Sequence, residues 1–137
     1  MSFLLDTNIL SELRKGAHAN HGLRSWIADV PETHIYLSIL VIGEIRCGIE
    51  RLRHRDPAQA RALDAWLERV RDSAGSRVLE LDIRVADVWG RWQAARPRPV
   101  IDGLLAAQAY IHDLTLVTRN VKDVSDTTAR VLNPFAE

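Results

Sequence analysis

The fold of this chain is indicated first by its opening segment, Phe3-Leu4-Leu5-Asp6-Thr7-Asn8. Three consecutive apolar residues followed by polar ones predict a short buried strand that ends at Asp6. Thr7 and Asn8 are residue types that cap helices, so a helix is expected to begin there and to bury the apolar residues that follow. The segment therefore predicts a strand-to-helix unit with a carboxylate at its junction.

The alternation of short apolar strands with amphipathic helices continues along the chain. Further strands are predicted at 35–38, 78–81, 114–118 and, at the end, 130–132. Helices are predicted at about 21–29, 40–54, 57–73, after Asp82, and at 102–112. This order predicts an α/β fold: a three-layer α/β/α domain around a central, mainly parallel sheet of four to five strands. A length of 137 residues fits one such domain spanning the whole chain.

Composition narrows the classes of protein further. The 18 Lys and Arg balance the 18 Asp and Glu, so the whole chain lacks a basic nucleic-acid footprint. Sixteen of the 18 basic residues are Arg, and they concentrate in segments 46–61 and 84–98, which could hold phosphate. One cysteine excludes an intrachain disulfide. The opening residues have no basic n-region and no apolar run reaches membrane-spanning length, which predicts a soluble, cytoplasmic protein without a membrane partner.

Acidic residues recur where the predicted strands end or their helices begin. Asp6 ends the first strand, Glu44 lies in the first turns of the helix after the second, and Asp102 begins a later helix. Asn120 and Asp123 follow the fourth strand. Because the carboxyl ends of parallel strands share one edge, these side chains are expected to cluster. Clustered carboxylates repel one another, and hard oxygen ligands select Mg²⁺ or Mn²⁺, which can activate a water against a phosphodiester.

Four segments in order resemble the motifs of PIN domains: LLDTNILSEL at 4–13, LSILVIGEIRCGI at 37–49, IDGLLAAQA at 101–109 and LVTRNVKDV at 116–124. The ending VLNPF at 131–135 resembles that of the FitB-like subgroup of VapC-type toxins. The resemblance covers essentially the full chain. It implies an Mg²⁺- or Mn²⁺-dependent endoribonuclease that cuts single-stranded RNA, acting as the toxin of a type II toxin–antitoxin pair. It also implies a homodimer, a cognate antitoxin, and contact with operator DNA only through that antitoxin.

The resemblance places Asp6, Glu44 and Asp102 on the family's metal-binding carboxylates. The fourth position stays open, because relatives carry Asp where Asn120 stands or an acidic residue where Asp123 stands. An Asn at that position leaves the number of metals open. Support of the carboxylates or contact with RNA is expected from further polar and basic residues: Thr7, Asn8, Ser38, Arg46, Thr118, Arg119 and Lys122.

Two other hypotheses remain open. The first is a PIN-fold module that is catalytically weak and acts by binding an antitoxin or DNA, which the neutral Asn120 keeps possible. The second is a phosphoacceptor receiver domain, in which Asp82 would be the acceptor and in which Glu44 and Asp102 would be unexplained. Which RNA would be cut is not encoded in any of these motifs.

Overall fold

A computed structural model describes residues 1–136 as a five-stranded sheet flanked by six helices. The strands are β1 (Phe3–Leu5), β2 (Ile35–Ser38), β3 (Val78–Leu79), β4 (Thr115–Val117) and β5 (Arg130–Leu132). The helices are α1 (Thr7–Leu13), α2 (His21–Ala28), α3 (Ile39–Arg53), α4 (Pro57–Ala74), α5 (Ile83–Ala95) and α6 (Val100–Ile111). None of the helices has both the length and the hydropathy needed to cross a bilayer within the described residues.

The strand order is β3-β2-β1-β4-β5, and every pairing is parallel. The predicted three-layer α/β/α fold with a parallel sheet is thereby confirmed, with the larger number of expected strands. The opening strand β1 lies in the middle, which explains its uniformly apolar sequence: a central strand is covered on both faces. Its three residues are all buried, and Leu4 has no exposed surface.

The predicted elements are confirmed with small shifts at their ends. Helix α1 is capped by the Asp6 side chain, which accepts from the Thr7 amide, and not by Thr7 or Asn8 as predicted. Helix α6 begins at Val100, so Asp102 lies within its first turn instead of at its start. Strand β3 ends at Leu79 where the sequence predicted an end at residue 81, since the edge position gives its last residues only one neighbouring strand to pair with.

The register between β1 and β4 determines which residues are neighbours at the carboxyl edge of the sheet. Leu5 pairs with Val117, and the Asp6 amide donates to the Val117 carbonyl at 2.9 Å. The next residues of the two strands, Asp6 and Thr118, are therefore neighbours although 112 positions separate them in sequence. Because both strands run in the same direction, the polar residues that follow each of them emerge together at the carboxyl edge.

Candidate metal centre

Asp6 is the most firmly held carboxylate at this edge. Its Oδ1 accepts from the Thr7 amide at 2.7 Å, and its Oδ2 accepts from Asn8 Nδ2 at 3.0 Å and from Thr118 Oγ1 at 2.6 Å. The residue is only 4% exposed. Three hydrogen bonds from three different residues fix the carboxylate in one orientation, as a ligand position requires.

Glu44 is tied to the same junction from the neighbouring helix. It lies in the second turn of α3, where its Oε1 accepts from Thr7 Oγ1 at 2.5 Å. Thr7 thus serves both carboxylates, its amide holding Asp6 and its hydroxyl holding Glu44. The second oxygen of Glu44, Oε2, has no hydrogen-bond partner among residues 1–136.

Asp102 is the carboxylate of this edge whose pKa is raised. Burial in the first turn of α6, together with the negative charges of Asp6 and Asp123, raises the pKa of its carboxyl to about 6. The closeness of the Asp123 side chain and the charge of Glu44 act in the same direction. The pKa of Asp102 is thus raised by each of the other three carboxylates. We call this cluster the acidic centre; its members are Asp6, Glu44, Asp102 and Asp123.

Asp123 and Asn120 have different positions, which bears on the fourth site position. Asp123 ends a short 3-10 turn (Val121–Asp123) and its side chain approaches Asp102. The Asn120 side chain is exposed, while its amide donates to Thr118 Oγ1 at 3.0 Å and its carbonyl accepts from the Asp123 amide at 3.2 Å. The geometry brings Asp123 into the acidic centre and gives Asn120 a place in the turn that carries it.

The predicted supporting residues divide into two groups. Thr7, Asn8 and Thr118 bond directly to the acidic centre, as described above. Ser38 does not reach solvent or phosphate: it is fully buried and caps α3 by accepting from the Leu40 amide at 3.1 Å. Its role is to begin the helix that carries Glu44.

Two predicted RNA contacts lie near the centre and remain accessible. Arg119 is exposed; its amide donates to Asn8 Oδ1 at 3.2 Å and its guanidinium lies 4.7 Å from the centroid of the Phe135 ring. Lys122 is exposed in the turn that carries Asp123. Arg119 thus adjoins Asn8, which holds Asp6, and Lys122 directly precedes Asp123 in sequence.

The arginine-rich segments are mostly engaged within the chain, contrary to the expectation that they hold phosphate. Arg46 donates to Asp64 at 2.6 Å and to Glu50 at 3.2 Å, so its guanidinium is committed to the α3–α4 hairpin. In the second segment all four arginines form ion pairs with Asp82, Asp87 or Asp126, which stabilise the structure: they are Arg84, Arg91, Arg96 and Arg98.

Asp126 is one residue of this edge that the sequence did not single out. Its Oδ2 accepts from Arg96 Nε and from Arg98 Nη2, both at 2.9 Å. A lone Asp among Ser and Thr indicates a turn, so no sequence pattern distinguished it from an ordinary loop residue.

The donor chemistry of the acidic centre fits a hard divalent cation. Its potential ligand atoms are all oxygens, and burial together with the neighbouring negative charges raises the pKa of Asp102, a cost that a bound cation would relieve. Among residues 1–136 no three His, Cys, Asp or Glu side chains form a ready-made cage for an ion. Mg²⁺ fits that arrangement, because it commonly takes one or two carboxylates and keeps its other positions for waters and phosphate oxygens.

The receiver-domain hypothesis loses its acceptor in this structure. Asp82 caps α5 by accepting from the Arg84 and Val85 amides, and it also pairs with the Arg84 guanidinium at 2.8 Å. It follows the edge strand β3, away from the position that Asp6 holds after the central strand. Asp82 is thus accounted for by helix capping.

Comparison with known proteins gives a consistent family. The family model for the PIN domain matches residues 3–127. A VapC ribonuclease, Y4jK, from Sinorhizobium fredii is 32% identical over 96% of this chain and 96% of its own. Toxin FitB from Neisseria gonorrhoeae is 26% identical, covering 96% of this chain and 97% of its own. A solved structure of FitAB bound to the IR36 DNA fragment superposes with a TM-score of 0.86 at 25% identity, covering 98% of this chain and 96% of that one.

Proposed function

This chain belongs to the PIN-domain family, among the VapC and FitB toxins, and from that premise we propose that it is a metal-dependent endoribonuclease. The observation that carries the proposal is the acidic centre: four carboxylates come from four separate segments, and three of them lie near enough to raise the pKa of the fourth, Asp102. Capping of α1 accounts for Asp6, but it does not require the other three carboxylates to lie near it. The relative named as a ribonuclease supports RNA as the substrate.

The residues proposed to hold the cation, Mg²⁺ or Mn²⁺, are Asp6, Asp102 and Glu44, with Asp123 at the fourth position. A bound cation would supply positive charge to the scissile phosphate and would acidify a coordinated water. Asp6 brings an oriented carboxylate because Thr7, Asn8 and Thr118 hold it. Asp102 gains most from the added positive charge, because its carboxyl has the raised pKa.

Glu44 is the residue proposed to orient the attacking water. Its Oε1 is occupied by the Thr7 hydroxyl, which leaves Oε2 to accept a hydrogen bond from that water. In the proposed step the water oxygen would form a bond to phosphorus as the bond to the 3′-oxygen breaks; the water would give up one proton and the departing 3′-oxygen would take one up. This hydrolysis leaves a 5′-phosphate on one product and a 3′-hydroxyl on the other.

Access to the centre supports an extended polymer as substrate. A groove of about 540 Å³ runs along α3 beside Glu44, between Gly43, Gly48 and Ile101, and it ends at Arg51. Arg51 is exposed and forms no ion pair among residues 1–136, unlike Arg46. Phosphate contacts are therefore proposed for Arg51 as well as for Arg119 and Lys122, which border the other side of the centre.

The proposed setting is a type II toxin–antitoxin system in which this chain is the toxin. The FitAB complex bound to DNA supports a cognate antitoxin as partner and contact with operator DNA through that antitoxin. A homodimer is proposed on the family resemblance. Because the acidic centre is open at the sheet edge, inhibition by a second protein would need only to cover this edge or displace its ligands.

The test compares Asp6→Asn and Asp102→Asn with Asp113→Asn, a matched change at an exposed carboxylate before β4 whose side chain is 87% exposed. Cleavage of single-stranded RNA with Mg²⁺ or Mn²⁺ should fall about 100-fold or more in the first two variants, remain at the parent level in the third, and stop in EDTA. Folded Asp6→Asn and Asp102→Asn proteins that cleave as fast as the parent would overturn the proposal. Binding of Mn²⁺ without cleavage by the parent would favour the catalytically weak module instead.

A further inference from the structure

Arg98, in the loop between α5 and α6, is a buried cation with little compensation. Its side chain is 3% exposed, and Nη2 donates to Asp126 Oδ2 at 2.9 Å. The Nε and Nη1 groups are buried and have no partner among residues 1–136. A buried guanidinium held by one carboxylate oxygen costs more to desolvate than an apolar residue of similar size. Packing alone therefore does not account for an arginine here.

The Arg98 side chain passes beneath the first turn of α6. A Cβ at Gly103 would lie 3.4 Å from Arg98 Cδ and 3.2 Å from Trp89 Cδ1, so the absence of a side chain at Gly103 admits this close approach. Gly103 directly follows Asp102. Arg98 is thus packed against the turn that presents Asp102.

The base of Arg98 is anchored to α5. Gln93 Nε2 donates to the Arg98 carbonyl at 3.0 Å, and the Arg98 amide donates back to Gln93 Oε1 at 3.3 Å. This pair of bonds holds the backbone of a loop that two prolines, Pro97 and Pro99, already restrict. The guanidinium consequently extends from a fixed point.

The far end of the link is the loop that carries Asp123. Arg98 and Arg96 share Asp126 Oδ2, and Arg96 Nη2 also donates to the Lys122 carbonyl at 3.3 Å. The loop is therefore held on both sides of Asp123, at Lys122 and at Asp126. Within residues 1–136 the Asp123 side chain accepts no hydrogen bond, and its nearest charged influence is Asp102, a like-charged group whose pKa it raises.

We propose that Arg98, acting through Asp126, is a positioning residue that holds the Asp123 loop against α6, so that Asp123 and Asp102 stay together before a cation binds. The inference rests on the proposed function, since the distance between these carboxylates matters for a reaction only if they share an ion. Repulsion between Asp102 and Asp123 pushes the loop outward, and the Arg98–Asp126 link opposes that push. Carboxylates set in advance bind an ion more tightly than carboxylates that must first be brought together.

The experiment measures Mn²⁺ affinity by titration calorimetry in Asp126→Asn, with Asp113→Asn as the matched control, because Asp113 also pairs with an arginine at the surface. We expect Mn²⁺ binding to weaken about 10-fold in Asp126→Asn, within the range seen for groups that orient metal ligands, and to stay unchanged in the control. The kcat for RNA cleavage should fall by a larger factor than KM rises, because Arg51 and Arg119 are untouched and only Lys122, of the proposed phosphate contacts, lies in the loosened loop. Thermal unfolding verifies that each variant is folded.

A second background separates positioning from general destabilisation. In Asp123→Asn protein, adding Asp126→Asn should cause no further loss of Mn²⁺ affinity, because the link acts through Asp123. An equal loss in both backgrounds, or no loss in the folded single variant, overturns the inference. Arg98→Lys, which keeps the charge but lacks the fork, should lie between the parent and Asp126→Asn.

Amide exchange distinguishes failure of this inference from failure of the proposed function. The Asp123 amide donates to the Asn120 carbonyl at 3.2 Å, and its hydrogen exchange should accelerate about 10-fold or more in Asp126→Asn. A parent protein that binds no Mn²⁺ overturns the metal-centre proposal, and with it the role of the link in metal binding. Unchanged exchange at Asp123 overturns the link itself, whatever the parent binds.

Discussion

The acidic centre and the hairpin of α3 and α4 both contain several charged side chains. In the hairpin the carboxylates are paired with arginines, whereas in the acidic centre they have no positive partner within residues 1–136. In the hairpin, Arg46 and Arg53 bracket Glu50 and Asp64 with contacts between 2.6 and 3.2 Å. The guanidinium of Arg53 lowers the pKa of Glu50, and that of Arg46 lowers the pKa of Asp64. In the acidic centre the pKa of Asp102 rises instead.

The difference separates charges that are balanced within the chain from charges that are not. Each hairpin carboxylate already has a positive partner from its own chain, so nothing further is required to balance it. In the part of the chain that the structure describes, residues 1–136, the carboxylates of the acidic centre receive hydrogen bonds only from neutral groups, Thr7, Asn8 and Thr118. An unbalanced cluster of this kind is the more informative indicator of function.

The largest expected effect comes from the same substitution made once in each region. Glu44→Gln should lower RNA cleavage about 100-fold or more, because an amide brings no negative charge to the cation and holds the attacking water differently. Glu50→Gln lies two turns further along α3 and should leave cleavage within about twofold, because its partners are the hairpin arginines. Initial rates on one single-stranded RNA at saturating Mn²⁺ test both. Equal rates in the two variants would remove the distinction between the regions.

A smaller effect is expected from pH in the absence of metal. The folded-state pKa of Asp102, about 6, exceeds its ordinary value of 3.8, so the folded protein holds this proton more tightly than the unfolded chain. The resulting stability is complete below pH 3.8 and is lost as the pH rises through 6. Between pH 5 and 7 the free energy of unfolding of the parent should fall by of order 1 kcal/mol relative to Asp102→Asn, given solvent screening of a partly exposed group.

Urea unfolding in EDTA at pH 5, 6 and 7 measures this difference. The hairpin carboxylates cannot produce it, because their lowered pKa values confine their titration to lower pH, where protonation removes stability instead of adding it. A parent whose stability rises relative to Asp102→Asn over this range would show that Asp102 is not strained by its neighbours.

The smallest effect is expected in the hairpin itself. Asp64→Asn removes the carboxylate shared by Arg46 and Arg53. The side chains of both arginines are more than one-third exposed, at 43% and 35%. Solvent screening weakens ion pairs at such exposure, so the loss of stability should be small, without change in Mn²⁺ affinity. Thermal unfolding and calorimetry check the two parts separately. A large loss of Mn²⁺ affinity in Asp64→Asn would mean that the hairpin charges act on the acidic centre.

Most of the fold follows from local patterns in the sequence. The uniformly apolar β1 and the helical spacing in α4 predict their elements within one or two residues, because burial on one face leaves a periodic record. The ends of helices are harder to predict from the sequence. The cap of α1, for example, depends on which of three adjacent polar side chains accepts a hydrogen bond from a backbone amide. That choice is decided by the bonds that Asp6 makes to Thr118, far away in sequence.

The acidic residues of the candidate site could be predicted from the ends of the strands. The contacts between its loops could not. Asp6, Glu44 and Asp102 follow from the rule that parallel strands present their carboxyl ends at one edge. The engagement of Arg46 with Asp64 and of Arg98 with Asp126 could not be predicted, because both pairs join segments whose approach is fixed only by tertiary packing. Residue type suggested phosphate binding for these arginines, and their neighbours in space decide otherwise.

Strand β1 pairs with β2 and with β4, and β4 is synthesised much later than β1. Asp6 and Glu44 leave the ribosome early, whereas Thr118, which bonds to Asp6, follows 112 residues after it, roughly 6 to 22 seconds at ordinary elongation rates. Throughout that interval the nascent chain is surrounded by messenger, transfer and ribosomal RNA. Because β4 and the Asp123 loop are translated after the other parts of the centre, the growing polypeptide presents an unfinished site to the RNA of the ribosome that is making it.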